Sequence, residues 1–141
     1  MSLPLTIQQR ERLREIASRH RLRLIVAFGS AVTGRTHLGS DLDLAVLPAD
    51  GLELSLDDFA HLRAGLADVF APAEVDLALM SRADPLFLRK IFETAVLLYG
   101  DGRTFRWYRV YAFRRFSEYL PYLRVEAEST RTLVRRLRHA G

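Results

Sequence analysis

Leu22-Arg23-Leu24-Ile25-Val26-Ala27-Phe28-Gly29-Ser30 runs into a ten-residue connection and then Asp41-Leu42-Asp43-Leu44-Ala45-Val46-Leu47. The first segment reads as an apolar strand, Leu22 to Phe28, closed by a turn of small residues. The second, Asp41 to Leu47, reads as another apolar strand that carries two acids and is stopped by Pro48. Period-2 alternation sets Asp41 and Asp43 on one face of that strand, about 6–7 Å apart along it. Two neighbouring carboxylates repel each other and resist desolvation, so a strand needed only for packing gains nothing from them. A divalent cation removes the conflict, and oxygen donors of this kind suit Mg²⁺, which takes one or two carboxylates together with substrate phosphates and water. The Gly29-Ser30 turn offers backbone N–H groups, a hydroxyl and room for a phosphate to come close.

The motif Gly29-Ser30, ten residues, Asp41-Leu42-Asp43 and an apolar strand resembles the signature of the polymerase β-type nucleotidyltransferase superfamily. Chain length and surrounding residues are most similar to its minimal nucleotidyltransferase (MNT) branch, and the resemblance covers roughly Leu22 to Asp101. Members carry a third acid on a neighbouring strand; Glu74-Val75-Asp76-Leu77-Ala78-Leu79-Met80 supplies it here, with Asp76 at the matching position. The resemblance implies a small mixed α/β sheet with helices packed on one face and the metal site on the open side. It also implies two Mg²⁺ ions held by Asp41, Asp43 and Asp76, and ATP as substrate. Gly29 and Ser30 would cradle the β- and γ-phosphates, and Asp76 would help deprotonate the attacking hydroxyl. Relatives often carry an arginine or aromatic residue directly after Gly-Ser and a basic residue two further on. This chain has Ala31 and Thr33, and Arg35 is the nearest basic replacement for phosphate binding.

Gly29-Ser30-Ala31-Val32-Thr33-Gly34-Arg35-Thr36 also lies one residue from a Walker A loop, with Arg35 in place of lysine. Such a loop must feed a long helix whose N-terminus holds the phosphates. Gly39-Ser40 and a strand-like run follow too soon for one. Other readings of single residues are plain: Ser30 caps the segment after it, while Arg35 and His37 face solvent in the connection.

The chain has 141 residues, 49% of them hydrophobic and 27% charged, the proportions of one globular domain. It contains no cysteine, which excludes disulfides and cysteine-based zinc sites. Met1-Ser2-Leu3-Pro4 shows neither a basic n-region nor an apolar h-region, and no apolar run reaches the ~20 residues needed to span a bilayer. A cytoplasmic protein without membrane contact is expected. Charge is divided unevenly: residues 103–141 hold ten arginines against Glu118, Glu126 and Glu128, whereas residues 1–102 are net acidic.

Thr6-Ile7-Gln8-Gln9 has the form of a capping box opening a helix from about Ile7 to Arg19. Ser55 opens a second helix with the stripe Phe59, Leu62, Leu66 and Val69. A third strand is expected from Ala73 to Met80. Asp84-Pro85 starts a helix carrying Leu88, Ile91 and Phe92, and Ala95 to Tyr99 is a short apolar stretch. We divide the chain into a nucleotidyltransferase core, 1–102, and a C-terminal helical extension, 103–141. Phe105, Tyr108, Ala112, Phe116, Tyr119 and Leu123 give that extension an aromatic stripe, continued by Ala127, Thr130, Val134 and Leu137. Pro121 is expected to kink or divide it. The apolar surface exceeds what a small sheet uses, so a protein partner is expected on part of it.

Stand-alone minimal nucleotidyltransferases resemble the antitoxin half of toxin–antitoxin pairs. The resemblance thus implies a partner, an all-helical HEPN ribonuclease toxin in a hetero-oligomer, and transfer of AMP from ATP to a toxin tyrosine. Two alternatives stay open. One is nucleotidylation of a small, aminoglycoside-like acceptor, for which 141 residues leave little room for an acceptor domain. The other is an antitoxin, or an RNA-contacting module with arginines interleaved among Trp107 and Tyr108, that acts by binding alone.

Overall fold

The structure, a computed structural model, describes residues 3–33 and 41–139. Its elements are α1 (Ile7–His20), β1 (Leu22–Phe28), α2 (Ser30–Thr33), β2 (Leu42–Pro48), α3 (Leu56–Phe70), β3 (Val75–Leu79), a 3-10 turn (Met80–Arg82), α4 (Pro85–Thr94), β4 (Val96–Gly100) and α5 (Gly102–His139). The strands form one sheet in the order β3-β2-β1-β4. β1 is antiparallel to both β2 and β4, while β2 and β3 run parallel, so the sheet is mixed as expected. Arg35 and His37 lie outside the described residues.

Local sequence accounts for most of the boundaries. Thr6 accepts from the Gln9 N–H, and the Gln9 side chain accepts from the Thr6 N–H, which closes the capping box of α1. Ser55 and Asp58 do the same for α3. Asp84 accepts from the Phe87 N–H, with Pro85 at the first helical position of α4. Asp41 falls just before β2 rather than within it; the strand's first N–H, on Leu42, donates to the Glu74 carbonyl at 2.7 Å.

Helices cover both faces of the sheet, where a single covered face is expected from the sequence. Leu13, Ile16 and Ala17 of α1 and Leu62 and Leu66 of α3 pack on Ile25, Ala27, Leu42, Leu44 and Val46. On the opposite face Leu88, Ile91 and Phe92 of α4 and Phe105 and Ala112 of α5 pack on Leu24, Val26, Phe28, Ala45 and Leu47. The physical reason lies in β1 and β2, whose unbroken apolar runs are those of strands buried on two sides. An irregularity between Leu22 and Leu24 shifts the alternation, so Leu22 joins the α1 face although Leu24 points to the other.

Pro121 does not divide the last helix: α5 is continuous from Gly102 to His139. A proline removes one backbone hydrogen bond and crowds the preceding turn, but long helical flanks on both sides carry the segment through. Among the described residues no helix is long and apolar enough to cross a membrane.

Candidate active site

β2 and β3 bring the acids together. Their parallel register pairs Leu42 with Val75, Asp43 with Asp76 and Leu44 with Leu77. Leu42, Leu44, Val75 and Leu77 pack into the α1/α3 core, so Asp43 and Asp76 leave the opposite, α4-bearing face, on strands about 4.8 Å apart. Asp41 precedes β2 by one residue, exposed at its mouth; Asp76 is exposed and Asp43 half-buried. β3 is held in place partly by α3, where Arg63 Nε donates to the Val75 carbonyl at 3.2 Å.

On its other side Asp43 is paired across the sheet with Phe28, a buried ring whose edge meets Phe87 of α4 at 6.1 Å between centroids. Asp43 therefore stands between a hydrocarbon wall and a second acid. Burial, then the Asp76 charge and to a lesser degree that of Asp41, pushes its carboxyl above the usual range; Lys90 of α4 pulls the other way. Lys90 and Phe87 were not legible as site residues from sequence, because nothing in a helical stripe says which end of the sheet it will cover.

Gly29 closes the site at the end of β1. Its φ of 80° is in the left-handed region, which glycine enters without strain. A Cβ at Gly29 would meet Asp43 Oδ2 at 2.5 Å, so the space beside the glycine belongs to the carboxylate. The expectation that the Gly29 N–H is free for phosphate is corrected here: it donates to Thr94 Oγ1 at 2.7 Å. Thr94, the last residue of α4, thus fixes the turn, and only the three-dimensional packing reveals it. The Gly29 carbonyl accepts from the N–H groups of Val32 and Thr33. Among the described residues, the N–H groups of Ser30 and Ala31 and the Ser30 hydroxyl stay available as donors. Only residues 31–41 separate Ser30 from the start of β2, too few for a phosphate-binding loop followed by a long helix and the return to a strand.

The donor set is all oxygen. Among the described residues no three Asp, Glu, His or Cys side chains are gathered tightly enough to hold an ion unaided. Mg²⁺ does not require that: one or two carboxylates with substrate phosphates and water complete its shell, so the residues fit a site that the substrate finishes.

A family described as Polymerase beta, Nucleotidyltransferase matches residues 11–104. No curated protein matches the chain. Among solved structures, a toxin–antitoxin with AMP-PNP is similar over 91% of this chain and 98% of its own, at 23% identity and a TM-score of 0.64. The toxin–antitoxin MntA-HepT is similar over 94% and 99%, at 20% identity and a TM-score of 0.60. A chain from the tri-AMPylated HEPN toxin of Shewanella oneidensis in complex with MNT antitoxin is similar over 92% and 97%, at 20% identity and a TM-score of 0.59. At these identities the likeness is one of fold.

Proposed function

This chain belongs to the polymerase beta nucleotidyltransferase family, and from that premise we propose that it transfers AMP from ATP to a tyrosine of a HEPN-type toxin, with Mg²⁺, as the antitoxin of the pair. The observation that carries the reading is the in-register Asp43–Asp76 pair beside the Gly29-Ser30 turn. It is supported by fold likeness to complexes of that kind, one with AMP-PNP and one whose toxin is tri-AMPylated. In the reaction a tyrosine oxygen forms a bond to the α-phosphorus as the bond to pyrophosphate breaks.

Asp41 and Asp43 are the residues to hold Mg²⁺, with Asp76 completing the set on the acceptor side. When bound, the metal supplies charge neutralisation at the attacked phosphate and the departing pyrophosphate. Asp76, exposed at the start of β3, accepts the proton of the attacking hydroxyl. The Ser30 hydroxyl and the N–H groups of Ser30 and Ala31 bind the β- and γ-phosphates; Gly29 acts by leaving room and Thr94 by fixing its peptide. Arg35 is assigned to the same phosphates. Most of the rate gain in such a site comes from positioning and charge stabilisation.

The test is incubation of the full chain with α-labelled ATP, Mg²⁺ and the HEPN-type product of the adjacent gene. Label on a toxin tyrosine, with pyrophosphate released in equal amount, is the expected result. A second reading, an antitoxin that acts by binding alone, is favoured by Ala31 and Thr33, which stand where relatives often carry an arginine or aromatic residue and a basic one. It predicts inhibition of the toxin with no label transferred.

A further inference from the structure

Beyond Ala112 the last helix leaves the core: Phe116 lies under the Arg89 guanidinium, and past Leu123 every described side chain is exposed. Yet this exposed part is not polar all round. Leu120, Leu123, Ala127, Thr130, Val134 and Leu137 recur with spacings of three and four in strict alternation. A repeat of 3.5 keeps a narrow seam facing another helix, whereas packing on a sheet calls for the broader stripe of period 3.6. Val134 is 42% and Leu137 65% exposed, so none of the described residues fills this seam.

With Leu120 and Leu123 at the first and fourth heptad positions, the fifth position is held in turn by Arg124, Arg131 and Arg138. These three line one flank of the seam, the place from which coiled-coil partners are chosen by charge. None forms an ion pair among the described residues. We propose that Leu120–Leu137 is a docking seam for an α-helix of another protein whose own apolar stripe is flanked by Asp and Glu.

Charge selects this occupant over a second copy of the chain. Antiparallel self-pairing sets the row of arginines against itself, Arg131 facing its own counterpart. Parallel self-pairing gains Glu126 against Arg131 but brings together two segments that each carry ten arginines and three glutamates over residues 103–141. An acid-flanked helix neutralises the row and fills the seam at once. The seam does not depend on transfer chemistry, so its test stands whether or not the chain modifies its partner.

Two three-heptad helical peptides with the same leucine and isoleucine seam, one flanked by Glu and one by Lys, are titrated against the full chain by fluorescence anisotropy. The Glu-flanked peptide is expected to bind at least about tenfold more tightly, within the range charge pairs set in partner choice. Leu123→Asp with Val134→Asp should abolish binding of both peptides without lowering the melting temperature, since neither side chain is in the core. Arg124→Glu with Arg131→Glu and Arg138→Glu should reverse the preference to the Lys-flanked peptide. No binding, or binding without charge preference, overturns the proposal. So does sedimentation as a dimer that the seam variant dissolves, which assigns the seam to a second copy. Binding of single-stranded oligouridine that outcompetes the peptide also overturns it, and assigns the arginines to nucleic acid.

Discussion

Asp43 and Asp76 are register partners on neighbouring parallel strands, and both leave the same face of the sheet. Nothing in an isolated strand pair rewards that arrangement. Its electrostatic cost falls mainly on Asp43, which has the Phe28 ring on one side and Asp76 on the other. A cation bound between the two carboxylates, as proposed above, would relieve that cost.

Asp43→Asn should therefore stabilise the free protein, and only in one pH range. The folded-state pKa of Asp43 is raised, so the native state holds this proton more tightly than the unfolded chain does. Stability is lost as pH rises from the ordinary carboxylate value, about 4, through the raised one, and the full cost stands above it. Thermal melts of wild type and variant should coincide at pH 3 and separate toward pH 7, with the variant higher. A variant that melts lower at pH 7 would show that Asp43 is a structural acceptor instead.

Magnesium should reverse that order. Binding to the native state alone raises its stability by mass action, so wild type with ATP and Mg²⁺ should melt higher than with ATP and EDTA. Asp41→Asn with Asp43→Asn should show no such difference and lose roughly a thousandfold in transfer, the loss expected for several kcal/mol of transition-state charge stabilisation. Equal activity of the double variant at saturating Mg²⁺ removes both residues from the mechanism.

Thr94 offers a test of the turn that leaves the acids untouched. Thr94→Val keeps the shape but strands the Gly29 N–H, for which a loss of about 1 kcal/mol is expected in this half-buried setting. ATP affinity, read by calorimetry, should fall with it, and Thr94→Ser should restore both. Gly29→Val has a harsher outcome, because the positive φ and the clash with Asp43 act together. Unchanged ATP affinity in Thr94→Val would mean that the phosphates bind away from this turn.

How far the sequence reveals this site depends on the range of each interaction. Alternation alone puts Asp41 and Asp43 on one face, and the capping residues Thr6, Ser55 and Asp84 act within one turn, so these are local and legible. The partnership of Asp43 with Asp76 needs a parallel pairing between segments more than thirty residues apart, and only likeness to a family suggested it. Thr94 and Lys90 were invisible for the same reason: α4 reads as an apolar stripe with Leu88, Ile91 and Phe92, and its hold on the Gly29 turn comes from tertiary packing. Helices on both faces were legible in principle, since Leu24-Ile25-Val26-Ala27 leaves no polar face for solvent. Continuity through Pro121 was not, because a local rule against proline is outweighed by the helix around it.

Truncation after Leu120 separates the core from the seam. Ala112 is the last buried residue of α5, and Leu123 the last that is even half-buried, so removing residues 121–141 uncovers almost no apolar surface. The shortened chain should unfold cooperatively within about 3 °C of wild type, a change below roughly 1 kcal/mol. It should keep ATP binding and lose the partner. Truncation after Asp101 is the contrasting case, since it strips Phe105 and Ala112 from the face they share with Phe92 and Ile91. Losing a buried phenylalanine alone costs about 3–5 kcal/mol, a large share of the stability of a small domain. That second chain should fail to fold, measured as the loss of a cooperative melt by circular dichroism. If the chain ending at Leu120 fails in the same way, the distal helix belongs to the core and is no separate docking element.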